Sequence, residues 1–425
     1  MTTAPHAFDT DLVETLEELK AAELVTRALK AVETQLDEAI EAQKRLVLIE
    51  APSYHEMERA KVYAEMLKDA GLTDVRVDDC ANVWGYIRGT GNTGQSVVLE
   101  GHLDTVFAFG SAKAIHVDDD GRIHCPGICD DTRALAANLN VLWALMREGV
   151  KPVHDIVIAG TVCEEGLGGM KGMKGMKALL ESLDKETHVL ATVSIDGPTA
   201  TDFYANATGM VDWEVEMRGP GGHAWLKHGT PSAVQAACRA AVLAADLELP
   251  DDPKTSLTVS LIEGGQAIHG IAERAVFKMN ARSNSQAVLD DLNDRFIKAC
   301  QQGADEENTR WNRPGVITMT AKKILDIPAG CQPDDARIIQ AAKLVTQAVG
   351  VEPKFCRGGC TNSNMSIARG IPAVTLGRGG GEYGTHTLAE WFDPKGVWRC
   401  EQKSILLLLL LAGLDGVTQP LGETL

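Results

Sequence analysis

At 425 residues, with 44% hydrophobic and 24% charged side chains, the chain reads as a folded protein too long for one core, so two domains are expected. A formal net charge of −18 excludes the basic face that nucleic-acid phosphates demand, and it bears on solubility more than on substrate. The most apolar run, residues 405–411, is far shorter than the roughly 20 residues that span a bilayer, so membrane insertion is not expected and a buried C-terminal helix is.

The opening Met1-Thr-Thr-Ala-Pro-His6 has neither the basic nor the apolar region of a signal peptide. Ten cysteines without a CxxC pair point to free thiols in a reducing cytoplasm. Residues 12–49 carry apolar positions at helical spacing, among them Leu16, Leu19, Leu24 and Leu29. A helix over 56–70 stops at Gly71. Strands follow over 75–77, 83–87 and 96–99, the last running into Glu100-Gly-His-Leu-Asp-Thr105. Next come a helix over 132–148, a strand over 155–162, a helix over 176–183 and a strand over 190–195. A repeat from Gly169 to Lys177 places glycine at every third position, which weakens a helix, and reads as a loop. This alternation predicts an α/β layer with a mostly parallel central sheet flanked by helices.

The pattern changes at about residue 208. Strand 211–217, helix 232–247, strands 256–262 and 275–282, helix 286–302 and strand 316–322 give the β-α-β-β-α-β order of a ferredoxin-like unit. Helix 334–349, strand 373–376 and helix 395–414 then resume the first pattern. The expected division is 1–207 and 329–425 for an α/β domain, with 208–328 as an inserted α+β domain.

Open α/β sheets place their chemistry at the carboxyl ends of strands. His102 and Asp104, the Asp130-Asp131 pair, Glu164-Glu165 and Asp196 stand at such ends, and His386 follows the last strand in a glycine-rich stretch. Imidazole and carboxylate are the donors that borderline divalent metals such as zinc select. Each piece alone is weak: an Asp pair suits any helix N-terminus, and Glu164-Glu165 reads equally as an acidic turn. Five pieces at equivalent ends of one sheet point to a metal site.

The pieces Gly-His102-Leu-Asp104-Thr, Gly-Ile-Cys-Asp130-Asp-Thr-Arg, Cys-Glu164-Glu165-Gly, Ile-Asp196-Gly, Gly-Pro-Gly-Gly-His223 and Gly-Thr-His386-Thr occur together in one order. In them the chain resembles the dinuclear zinc metallopeptidases related to aminoacylase, acetylornithine deacetylase, carboxypeptidase G and tripeptidase T, and within these the tripeptidase-like branch. The resemblance implies a zinc-exopeptidase-type catalytic domain, with the inserted domain as lid and dimerisation element. It implies two divalent ions, zinc or else cobalt or manganese. His102 and Asp196 would hold one, Glu165 and His386 the other, and Asp130 would bridge them, with a cis peptide after it. Asp104 would orient His102, and Glu164 would serve as general base and acid. His223 would reach the active site of the other subunit of a homodimer and steady an oxyanion, while Arg282 would pair with a substrate carboxylate.

The chain departs from the pattern at His269, where relatives carry Asn, at Asn280 and at Asn362, where Asp is common. Asn362 and Asn364 are expected at the substrate end of the pocket. The implied activity is cytoplasmic hydrolysis of a small peptide or, alternatively, of an N-acyl amino acid. A metal-free binding protein on the same fold is disfavoured by the complete ligand set.

Overall fold

Strands that are apolar on both faces need cover on both sides, and this requirement organises the first unit. The computed structural model describes residues 8–166 and 172–425. Its main sheet runs in the spatial order Thr73–Val77, Val83–Ile87, Asp155–Thr161, Gln95–His102, His188–Gly197, Ala373–Gly377, Asp202–Tyr204, Lys354–Cys356. The four central strands, Asp155–Thr161 to Ala373–Gly377, are mutually parallel. Antiparallel pairings join Val83–Ile87 and Asp202–Tyr204 to that centre. The sheet is mostly parallel where it matters for the site, as the alternation predicts.

Alternation along Gln95–His102 sends Val97 and Leu99 into the larger core and Val98 to the opposite face. Helix Trp398–Ala412 supplies the larger core with the fully buried run 405–411. Helix Lys174–Leu183 covers the other face through Met176, Leu179, Leu180 and Leu183. That helix starts two residues earlier than its sequence suggests and takes in Gly175. A Cβ there would lie 2.3 Å from the Val162 carbonyl oxygen, so the glycine permits the close approach. Residues 169–171 of the Gly/Met/Lys repeat lie outside the described residues.

The N-terminal helical region is three helices, Thr10–Ala21, Glu23–Thr34 and Leu36–Val47, separated at Ala22 and Gln35. In the second, Val25, Ala28 and Val32 form the buried face, while Leu24 and Leu29 are only partly covered. A small sheet of Gly381–Tyr383, Trp391–Asp393, Ile123–His124 and His116–Val117 holds the chain around His386.

The chain divides into two compact units, the second spanning Ala207–Cys331. Strands Thr255–Gly264, Arg274–Ser283, Gly209–Arg218 and Thr318–Ile327 make its antiparallel sheet in that order. Helices Ala233–Ala245 and Gln286–Arg310 pack their apolar faces on it around Phe277 and Phe296. Short strands Gly222–His223 and Gly270–Ile271 add a side ribbon.

Candidate metal centre

Each of the four central parallel strands delivers a polar residue at its carboxyl end. His102 closes its own strand, and its strand partner Thr161 leads into Glu164 and Glu165. Asp196 lies at the end of His188–Gly197, and Arg378 follows Gly377. Helix Thr132–Arg147 brings Asp130 and Asp131 to the same place at its N-terminus. It rests against the strand at Gly101, where a Cβ would come within 2.7 Å of the Ala134 methyl. The His102 backbone N–H donates to Asp131 Oδ2 at 2.9 Å and secures that contact.

Asp130 presents its two oxygens to two different imidazoles. Oδ1 is 3.0 Å from His102 Nε2, and Oδ2 is 3.1 Å from His386 Nε2. His386 Nε2 also lies 3.1 Å from Glu165 Oε1, and His102 Nε2 lies 3.9 Å from Asp196 Oδ1. Two donor groups result, His102–Asp130–Asp131–Asp196 and Asp130–Glu165–His386, with Asp130 in both. The Asp130–Asp131 peptide is cis. Nitrogen and carboxylate donors this close together suit zinc, cobalt or manganese. A further fit is Glu164 Oε1, buried and without a hydrogen-bond partner among the described residues, as a carboxylate kept for a ligand would be.

The surroundings orient these groups. His102 Nδ1 lies 3.0 Å from the Asp104 carbonyl and 3.4 Å from its carboxylate, which leaves Nε2 for the site. Asp104 does more than orient the imidazole. Its carboxylate accepts the backbone N–H groups of Glu164 at 3.0 Å and Glu165 at 3.2 Å, and the Ser53 hydroxyl at 2.6 Å. One buried side chain therefore ties the His102 strand end to the Glu164-Glu165 turn.

Two contributors went unnoticed in the sequence. Buried Glu390 accepts the N–H groups of Gly127 at 3.0 Å, Cys129 at 2.7 Å and Asp130 at 3.3 Å, and so fixes the loop that carries Asp130. Arg378 sends Nη1 to Asp130 Oδ1 at 2.8 Å and Asp196 Oδ1 at 3.2 Å. The strand-end rule applied to 373–376 points to Arg378. For Glu390 the only signal is an acid four residues after His386.

Crowded carboxylates and imidazoles shift one another. Burial opposes ionisation of Asp130, but Arg378, His102 and His386 outweigh it and hold its carboxyl well below the usual range. Burial, then the neighbouring charges of Asp196 and Asp130, push Asp131 well up against the pull of His102 and Arg378. Glu164 is raised by burial and by Asp196, and Glu165 by burial and Asp130. Asp196 is pushed up to about 8 by burial and by Asp130. Hydrogen bonds to Asp130 and Glu165 raise His386 to about 10. His102 rises well above the ordinary value despite its burial, because Asp131, Asp104 and Asp130 surround it. The crowded carboxylates favour positive charge in the pocket.

The remaining sites named from sequence fall into two sets. His223, His269 and Arg282 belong to the second unit, where the short ribbon brings the His223 and His269 rings to 6.4 Å. The backbone N–H groups of Trp225 and Leu226 donate to His223 Nδ1 at 3.2 and 3.4 Å, which places a ring proton on Nε2. Arg282 Nε donates to Asn280 Oδ1 at 3.3 Å, and Asn280 is itself bonded to Asp212. Asn362 and Asn364, expected along the substrate, are both buried. Asn362 donates to Glu100 Oε2 and Thr161 Oγ1, each at 2.8 Å, and Asn364 accepts from the Thr361 N–H at 3.1 Å. Their shown contacts hold helix Ser363–Ala368 to the sheet, because a buried amide must find internal partners.

Residues 98–403 match the family described as Peptidase family M20/M25/M40. A peptidase M20 domain-containing protein of Schizosaccharomyces pombe is 27% identical over 314 residues, 69% of this chain and 74% of that protein. Among solved structures, the aminopeptidase PepT of Bacillus cereus superposes with a TM-score of 0.72 at 20% identity, covering 89% of this chain and 98% of that one. A tripeptidase of Staphylococcus aureus does so with a TM-score of 0.73 at 20% identity, covering 88% and 97%.

Proposed function

The chain belongs to peptidase family M20/M25/M40 and is a metal-dependent hydrolase, and we propose that it is a two-metal exopeptidase acting on small peptides. The observation that carries this reading is the placement of Asp130, whose two oxygens address separate donor groups. His102 and Asp196 would hold one ion, Glu165 and His386 the other. Bound there, zinc or a similar ion supplies the charge that acidifies a water and polarises a scissile carbonyl.

The protein's own part is proton handling and orientation. Glu164 has a buried oxygen without a hydrogen-bond partner among the described residues and a raised proton affinity, so its carboxylate takes the proton of the attacking water and returns it to the leaving amine. Asp104 aligns Glu164 with the His102 side of the site through the N–H bonds described above. His223, whose Nδ1 is engaged by backbone N–H groups, is suited to steady an oxyanion in the site of a partner subunit through Nε2, and Arg282 to hold a substrate carboxylate. Exposed Trp225, Leu226 and Ile268 flank His223 and His269, which supports the second unit as lid and dimerisation element. No helix among the described residues is long and apolar enough to cross a membrane. Buried thiols such as Cys125, Cys163 and Cys300 fit a cytoplasmic location. The aminopeptidase and tripeptidase names of the structural relatives favour substrates with a free α-amino group.

The test is Glu164→Ala. It should keep both metals and lose about 10²–10⁴ in turnover of dipeptides and tripeptides. Mixing it with His223→Ala subunits should restore part of the activity if His223 works in trans. Full turnover by Glu164→Ala sinks the mechanism, and equal turnover of N-acylated substrates selects the deacylase reading instead.

A further inference from the structure

The carboxylates of the first donor group already have a cation. Arg378 is almost completely buried, and its Nη1 lies 2.8 Å from Asp130 Oδ1, 3.2 Å from Asp196 Oδ1 and 3.4 Å from Asp131 Oδ1. Its Nη2 lies 3.3 Å from Glu382 Oε2. The backbone on either side is clamped. Arg378 N–H donates to the Gly197 carbonyl at 2.6 Å, and its carbonyl accepts from Arg133 Nε at 3.4 Å. Arg133 is in turn paired with buried Glu401. The guanidinium therefore enters the site from a fixed point on the sheet.

Its contacts are one-sided. Asp130 Oδ1 and Asp196 Oδ1, which Arg378 touches, are the oxygens that face His102 Nε2 at 3.0 and 3.9 Å. The other Asp130 oxygen, Oδ2, faces His386. Carboxylate lone pairs engaged by a guanidinium are less available to an ion, and a fixed positive charge repels a dication at short range. The burden falls on the His102–Asp130–Asp196 side.

We propose that Arg378 is a resident cation that competes with metal for the first donor group, so that the two sites fill in order, Asp130–Glu165–His386 before His102–Asp130–Asp196. This rests on the two-metal reading. When metal is stripped, the same guanidinium balances Asp130, Asp131, Asp196 and Glu382 and keeps the sheet ends together. Arginine suits the task because its planar fork serves several carboxylates at once and stays charged when buried.

The test titrates Zn²⁺ into chelator-stripped full-length protein against a competing chromophoric chelator, with melting curves of stripped and reloaded samples. Wild type should show two steps, the weaker abolished by His102→Ala and the tighter by His386→Ala. Arg378→Met should strengthen the weaker step by about tenfold or more and leave the tighter one unchanged. The stripped Arg378→Met protein should melt below stripped wild type, and reloading should close the gap. Arg378→Lys, which keeps the charge, should retain the wild-type separation, and Arg378→Gln replaces the Met variant should that one not fold. A weaker step that stays the same or weakens further in the uncharged variants overturns the competition. So does assignment of the tighter step to His102. Binding of fewer than two ions by wild type overturns the two-metal reading instead, which separates the two failures.

Discussion

The two donor groups share Asp130 yet are built differently. His102 stands on the last residue of a central strand with 2% of its side chain exposed, and Asp131 and Asp104 hold its backbone and ring. His386 sits in the loop of a small hairpin, at a positive φ of 67°, with 51% of its side chain exposed. A sheet edge gives one half of the centre its rigidity. A loop leaves the other half open to solvent. The contrast shows how one carboxylate can join a fixed site to an open one.

That contrast breaks most completely at Asp130. Replacing it with Ala should abolish binding at both groups, and metal content measured after dialysis should fall toward zero while His386→Ala protein retains one ion. Retention of two ions by Asp130→Ala would remove the bridge.

A smaller effect should separate the groups. Asp104→Asn keeps the size of the side chain but weakens its grip on His102 and on the Glu164 and Glu165 N–H groups. Metal affinity at the first group should drop about 10–100-fold, the usual consequence of disturbing a ligand's supporting partner. The His386 group should change less, because its direct contact with Asp104 is through the Glu165 N–H alone, and its path by way of Asp130 passes through His102. Equal losses in competition titrations would show that the two halves are not independently supported.

The smallest effect is one of pH. Hydrogen bonds donated to Asp130 and Glu165 raise His386 to about 10, so below that pH its ring carries a proton that an ion must displace. Affinity at this group should therefore rise with pH, by about tenfold per unit for each proton released, and level off as the pH passes about 10. His386→Ala should remove this dependence together with the ion. A flat affinity across the neutral range in the wild type would mean that the ring does not ligate.

Much of the fold could be read because it rests on local signals. Strand 83–87 and the starts of helices 132–148 and 286–302 coincide with the structure, as their apolar periods and flanking residues are written in the nearest neighbours. The short strands Asp202–Tyr204 and Lys354–Cys356 were not legible: three residues carry no period, and they are strands only through their pairings, the first with Ala373–Gly377 and the second, at the sheet edge, with the first. The single helical stretch at the N-terminus hid its breaks at Ala22 and Gln35, since neither residue is a strong stop. The roles of Asn362 and Glu390 were also out of reach. Asn362 meets Glu100 across 262 positions and Glu390 meets Cys129 across 261, and nothing local foretells such pairs.

The sequence by itself determined the donors and their stations: imidazoles and carboxylates at His102, Asp130, Glu164, Glu165, Asp196 and His386, at or near the ends of elements. Tertiary structure alone decided which atoms meet. Strand register and the seating of helix Thr132–Arg147 turned one Asp130 oxygen toward each imidazole and brought Arg378 in beside Asp130 and Asp196. The physical reason is distance. The type of a ligand is a property of one residue, but its partners within a few ångströms are set by packing among segments far apart in the chain.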